Sequence, residues 1–380
     1  MPSVHPEILI VGAGVVGLTT ALKLAERGVS VTLLDRQLVG REASWAGAGM
    51  LPPGNAANAD TPEARLRSYS HGLWPEFAAD LTDRTGIDIG YHICGAIEVC
   101  AHDQQEEFRQ LDTQWQAEGI RVERLSTREV QQHVADMDGR FQNSLFLPDF
   151  AQVRNPRYLK ALKAACLQRG VEILEHVQAL DIRQKDGRIS EVRVEARTLQ
   201  FDRICFAVGA WSASLLQPLG VSIPVKPVRG QIVQFQLPTQ PFRCVIELGR
   251  RYLVPRRDGL ILIGSTEENA GFAKHTTTEG VAGLLDFAKS LVPSLAHAKV
   301  VHTWAGLRPG SPDELPLLGP VPEFSNVFIG AGHFRSGLQM SPATGTILAD
   351  LMLGETPAIS LDGLEAARFS SSATASLAGD

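Results

Sequence analysis

The sequence predicts an α/β protein in which a dinucleotide-binding domain of parallel strands and helices is interleaved with an antiparallel-sheet domain. Three observations predict it. An apolar run, ILIV at 8–11, meets Gly12-x-Gly14-x-x-Gly17, then a helical stretch, then a second apolar run that ends in Asp35. From about residue 223 the texture changes to period-two alternation broken by Pro and Gly turns. Near the C-terminus NVFIGAGH restores a strand, a Gly-rich turn and a helix. A chain of 380 residues is too long for one nucleotide-binding unit and suits two domains.

The first unit has the order strand, helix, strand and acid of a dinucleotide site. Gly12 permits the tight turn, Gly14 lets backbone approach a pyrophosphate, and Gly17 lets the helix pack close to the strand. The phosphates would lie on the helix N-terminus at Gly14, Val15 and Val16, where free N–H groups and the dipole favour an anion. Asp35, followed by Arg36, comes about 20 residues later, where a carboxylate meets a ribose hydroxyl. An acid there disfavours a 2′-phosphate, which leaves FAD or NAD.

The small residues of REASWAGAGM offer many amides to a flat ligand, at Ala43, Ser44, Ala48, Gly49 and Met50. Residues 61–84 read as a helix interrupted near Pro75, IDIGYHICGAIEVC as a strand pair, and 102–118 as an exposed helix. STREVQQH carries an N-cap signal at Ser126. Asn155-Pro156 opens a helix ending at Gly170, and VEILEHVQALDI reads as one strand, a second unit of cofactor-domain type. Asp186-Gly187 marks a hairpin turn, and RICFAV ends at Gly209-Ala210, small residues suited to close approach. A helix is expected at 278–291, and Gly332–Gln339 is expected to begin the last one.

Composition narrows the function classes. The chain is 44% hydrophobic and 21% charged with a formal charge of −6, which disfavours a nucleic-acid surface. The five cysteines are scattered and none forms a CxxC, so they read as reduced thiols of a cytoplasmic protein, with no metal site. The start MPSVHPE lacks a basic leader, and no apolar run is long enough to span a membrane.

Six stretches together resemble the amino-acid-oxidizing flavoproteins of the D-amino-acid oxidase and sarcosine oxidase superfamily. They are GAGVVG, REASWAGAGML, FAVGAWS, RYLVPRRDG, WAGLRPGSPDELPLLGP and GHFRSGLQMSPATG. The resemblance implies a glutathione-reductase-type Rossmann FAD domain capped by an antiparallel substrate domain. It assigns 1–88, 140–222 and 303–365 to the first, 89–139 and 223–302 to the second, and leaves 366–380 as a disordered tail. The implied reaction is oxidation of glycine, another small amine or a D-amino acid. Hydride passes from Cα to flavin N5, the imine is hydrolysed, and O₂ returns as hydrogen peroxide. No dedicated acid or base is expected. The resemblance also implies handover of the glycine imine to a thiazole synthase in thiamine synthesis, and a tetrameric homo-oligomer. The competing expectations are a D-amino-acid dehydrogenase feeding a quinone and a flavin-binding subunit without turnover.

The same resemblance distributes roles. Arg308 clamps the substrate carboxylate, Tyr252 donates to it, and Arg335 and Met50 border the pocket. His333, Phe334, Arg335, Ser336, Gly337, Leu338 and Gln339 offer backbone to the flavin, and Val177 offers backbone to the adenine. Sarcosine oxidases hold flavin through a cysteine near the segment that here reads WAGLRPG. None lies there, so FAD is expected to be non-covalent. The facing of Arg250, Arg251, Glu267 and Glu268 is left open.

Overall fold

The computed structural model describes residues 7–100, 105–141 and 143–369. Most of the expected tail, and all of MPSVHP, lie outside these residues. A six-stranded sheet forms the centre of the cofactor domain. Its order is Leu317–Pro320, Val327–Ala331, Arg203–Phe206, Ile8–Val11, Val31–Leu34 and Glu172–Leu174. The pairs among its last five strands are parallel, and only the Leu317–Pro320 edge is antiparallel. Buried on both faces, Ile8–Val11 needs a continuous apolar run rather than an alternating one. Helices Val15–Glu26, Pro62–Thr85, Asn155–Gln168 and Ser341–Leu353 pack together beside it.

An eight-stranded sheet makes the second domain. Its order is Lys299–Gly310, Lys226–Gln236, Leu260–Gly264, Arg251–Pro255, Val245–Leu248, Ala96–Val99, Ser144–Leu147 and Glu123–Leu125. It is antiparallel except where Val245–Leu248 runs parallel to Ala96–Val99. The helix Thr278–Leu291, with the bounds expected, covers one face of it.

Several expectations change. Pro62–Thr85 is one helix through Pro75, held in line by the burial of Trp74, Phe77 and Leu81 on both sides of the proline. The strand pair in IDIGYHICGAIEVC does not pair with itself. His92–Ile93 joins a small sheet with Ala151–Gln152, and Ala96–Val99 joins the large one. VEILEHVQALDI splits into Glu172–Leu174 and the start of Asp181–Lys185, because the chain turns at His176, whose φ is 59°. The segment 332–339 is not helical. Gly332 and Phe334 have φ of 72° and 43°, left-handed backbone that a helix excludes, and the last helix starts at Ser341 with Pro342 in its first turn. Ser144–Leu147 and all of Lys299–Gly310 belong to the large sheet.

Candidate active site

One cavity of about 740 Å³ runs from the first βαβ unit to the face of the large sheet. Its cofactor end is made of backbone and small side chains. Helix Val15–Glu26 has Gly14 at its N-cap, without a side-chain cap from that residue and without an acid in the first turn. Such a terminus leaves N–H groups for an anion. Gly12 has φ of 104°, and a Cβ there would lie 2.4 Å from the Ala207 carbonyl oxygen. Gly17 does not reach the cavity. It stands where a Cβ would lie 1.9 Å from the Gly12 carbonyl oxygen, the close packing of helix on strand that needs glycine.

Asp35 accepts from the Ala13 and Gln37 amides at 2.8 and 2.9 Å. Burial nonetheless pushes its carboxyl above the ordinary value. Arg36 lines the cavity beside it, its guanidinium over the Trp211 ring. Val177 also lines the cavity, but its N–H is committed to the Asp35 carbonyl at 2.8 Å. Its carbonyl is left to offer backbone to a base edge.

The segment 43–50 is clamped from both domains. Ser44 Oγ accepts from the Val15 amide at 2.9 Å. Asn155 donates to the Ser44 and Gly47 carbonyls at 3.0 and 2.8 Å, and Trp304 donates to the Ala46 carbonyl at 2.9 Å. Buried Arg256 donates to the Ala48 carbonyl, to Val153 and to Gln152, and burial lowers it to about 10. Sequence reasoning missed Arg256, since nothing local distinguishes it from Arg257. Ala43, Ser44, Ala48, Gly49, Met50 and Gly209 all line the cavity.

His333 to Gln339 line it as well, although as a turn. The Phe334 and Ser336 amides are already bonded, to Pro309 and His333 carbonyls, so the row of free amides expected from a helix N-terminus is incomplete. The His333 ring is buried against Thr344 at 3.0 Å, and burial lowers it to about 4. Gln339 keeps a buried side-chain oxygen without a partner among the described residues.

The other end of the cavity carries charged side chains of the large sheet. Arg308 donates to the Thr266 carbonyl at 3.2 Å and to the Ser265 hydroxyl. Among the described residues no carboxylate lies within ion-pair distance of it, and burial lowers it while the neighbouring Tyr252 phenol supports its charge. Two glycines make room for this pair. A Cβ at Gly230 would lie 2.2 Å from Arg308 Nη1, and one at Gly264 would lie 2.5 Å from the Tyr252 hydroxyl. Neither was singled out from sequence, because their need is set across strands.

Arg335 also lines the cavity, but it is held by Glu267 at 3.1 Å and by the Arg250 carbonyl at 2.8 Å. Arg250 pairs with Glu267 and Glu314, Glu268 pairs with Arg229, and the Arg251 guanidinium lies over Phe287. None of Arg250, Arg251, Glu267 and Glu268 lines the cavity. Glu98, Glu247, Arg67 and Trp115 do, and sequence reasoning missed them. No cysteine lines it, and the five thiols form no disulfide. Among the described residues no metal-ligand cluster occurs, and no helix is long and apolar enough to cross a membrane.

The donor set fits FAD. It has a helix terminus with glycine at its cap behind a glycine turn, an acid at the ribose position, a clamped small-residue segment, and an orphan buried acceptor at Gln339. Known proteins agree. The family described as FAD dependent oxidoreductase, DAO, matches residues 7–351. Glycine oxidase of Pseudomonas aeruginosa is 37% identical over 354 residues, 93% of this chain and 96% of that one. The bifunctional protein ThiO/ThiG of Trichormus variabilis is 31% identical over 97% of this chain and 56% of its own length. The crystal structure of glycine oxidase from Geobacillus kaustophilus superposes with a TM-score of 0.91 at 31% identity, covering 96% of this chain and 99% of that one.

Proposed function

The chain belongs to the DAO family of FAD-dependent oxidoreductases and acts on amine donors, and from that premise we propose that it oxidises glycine and other small amino acids with O₂ as acceptor. The observation that carries the reading is Arg308. It is a cation held in a cavity wall, oriented by backbone and hydroxyl contacts, with Tyr252 beside it and, among the described residues, no carboxylate within ion-pair distance. Such a group demands an anion, and a guanidinium bonds both oxygens of a carboxylate. FAD held at the cofactor end would supply hydride acceptance from Cα and passage of the electrons to oxygen. The protein's part is to fix the carboxylate so that one Cα–H faces the cofactor end, a positioning effect.

The likeness to ThiO/ThiG, a fusion by its name, supports delivery of the imine product to a thiazole-forming partner. Tetramer formation is proposed by resemblance and is checked by light scattering. Purified protein assayed for peroxide with glycine, sarcosine and small D-amino acids tests the main reading. Peroxide from glycine without an artificial acceptor supports it. Turnover only with a quinone would replace it by the dehydrogenase reading, and an unbleached flavin under anaerobic glycine by the non-catalytic one. Acid precipitation should release the yellow colour to the supernatant, as non-covalent FAD requires. Colour in the pellet would reverse that.

A further inference from the structure

We propose that Glu98 and Glu247 form a second recognition point in the substrate cavity, one that takes the positively charged end of an amino acid bearing a second amine. The inference rests on the proposed function, because the substrate carboxylate is taken to be anchored at Arg308 and Tyr252.

Strand register carries the argument. Glu247 pairs with Tyr252 across antiparallel neighbours, and with Glu98 across parallel ones. The three residues therefore share one face of the sheet in a single row. Strands stand about 4.8 Å apart, so Glu247 lies roughly 5 Å and Glu98 roughly 10 Å beyond Tyr252. Both acids line the cavity, together with Gln114 and Trp115 of helix Gln105–Ala117. The cavity thus continues past the anchor, in a direction that glycine does not fill.

Neither acid is neutralised by the protein. Glu98 is 9% exposed, and among the described residues its side chain's only hydrogen bond is from the Trp115 indole to one oxygen at 3.2 Å. Its other oxygen has no partner among the described residues. Glu247 has no hydrogen bond or ion pair among them. The nearby cations are already engaged. Arg67 is bound by Glu63 and Glu118, and Arg335 by Glu267. Burial and the closeness of Glu247 push the Glu98 carboxyl up, and burial pushes Glu247 up against the opposing pull of Arg335. One end of the cavity therefore carries an unpaired cation and the other an unpaired acidic pair.

The test uses the FAD-loaded enzyme and two series of inhibitors of glycine oxidation. One series is straight-chain carboxylates of four to six carbons. The other is the same acids with a terminal amine, which lack an α-amine and so are not amino-acid substrates. At the best length the amine should tighten inhibition by roughly 10–100-fold, the span for a hydrogen bond to a charged group. Glu247→Gln and Glu98→Gln should each shrink that ratio more than they raise the KM for glycine. Equal inhibition by the two series would overturn the proposal. So would a ratio that survives both substitutions, or a glycine KM that rises as much as the ratio falls, which would mark the pair as the site of the reacting amine. Should glycine not be oxidised at all, calorimetric binding of the same two series still decides this question. The loss would then fall on the proposed function alone.

Discussion

The two ends of the cavity are made differently. The cofactor end is drawn from short local stretches of chain, within 12–16, 35–36, 43–50 and 333–339. The substrate end consists of side chains brought together by strand register, from residues 98, 247, 252 and 308. Backbone recognition tolerates many side chains but few backbone conformations. Side-chain recognition tolerates small shifts of strand but not a change of residue type. The first end should break through glycines and the second through charges.

The largest effect is expected at Gly12. Gly12→Ala combines a left-handed φ with a Cβ close to the Ala207 carbonyl, costing about 2–6 kcal/mol. FAD should be lost on purification, read from the flavin-to-protein absorbance ratio. Full retention of flavin and melting temperature would end the idea that backbone shape governs this end.

Next comes Arg308→Ala, which should leave FAD bound and raise KM by roughly 30–1000-fold, equivalent to about 2–4 kcal/mol for a lost charge-assisted contact. Unchanged steady-state kinetics would remove Arg308 from the site.

His333 tests the border between the two ends, since its backbone lines the cavity while its ring is buried elsewhere. Burial holds the ring at about 4, below the ordinary 6.5. The unfolded chain therefore binds this proton first. The associated stability is present above pH 6.5 and declines as pH falls toward 4, by up to about 3 kcal/mol. His333→Gln should flatten that part of the stability profile in denaturant titrations. A profile parallel to the parent's would show that other groups govern acid sensitivity.

The smallest effect belongs to Arg250→Ala. Its side chain is 55% exposed and its pairs with Glu267 and Glu314 are solvent-screened, so stability should change by less than about 1 kcal/mol. Its carbonyl, which holds Arg335, is retained. A tenfold loss of glycine turnover would move Arg250 from the rim into the site.

Much of the fold could be read from sequence where period and turn chemistry agree. The helix at 278–291 and the hairpin at Asp186-Gly187, with φ of 51° and 69°, are examples. Reading failed where tertiary packing overrode a local signal. Pro75 reads as a break, yet buried aromatics on both sides carry the helix through it. Gly332–Gln339 reads as a helix start, yet left-handed backbone at Gly332 and Phe334 delays it to Ser341.

By itself the sequence determined the dinucleotide end, because a glycine turn, a helix terminus and an acid are contiguous features whose geometry follows from backbone sterics. Arg308, Tyr252 and Arg335 were reached through resemblance rather than spacing, and the cavity brings all three to its wall. Only the tertiary structure decided that Glu98 and Glu247 stand in one row with Tyr252. A strand's partner and register depend on what packs across the whole sheet, and residues so far apart in the chain carry no local mark of being neighbours.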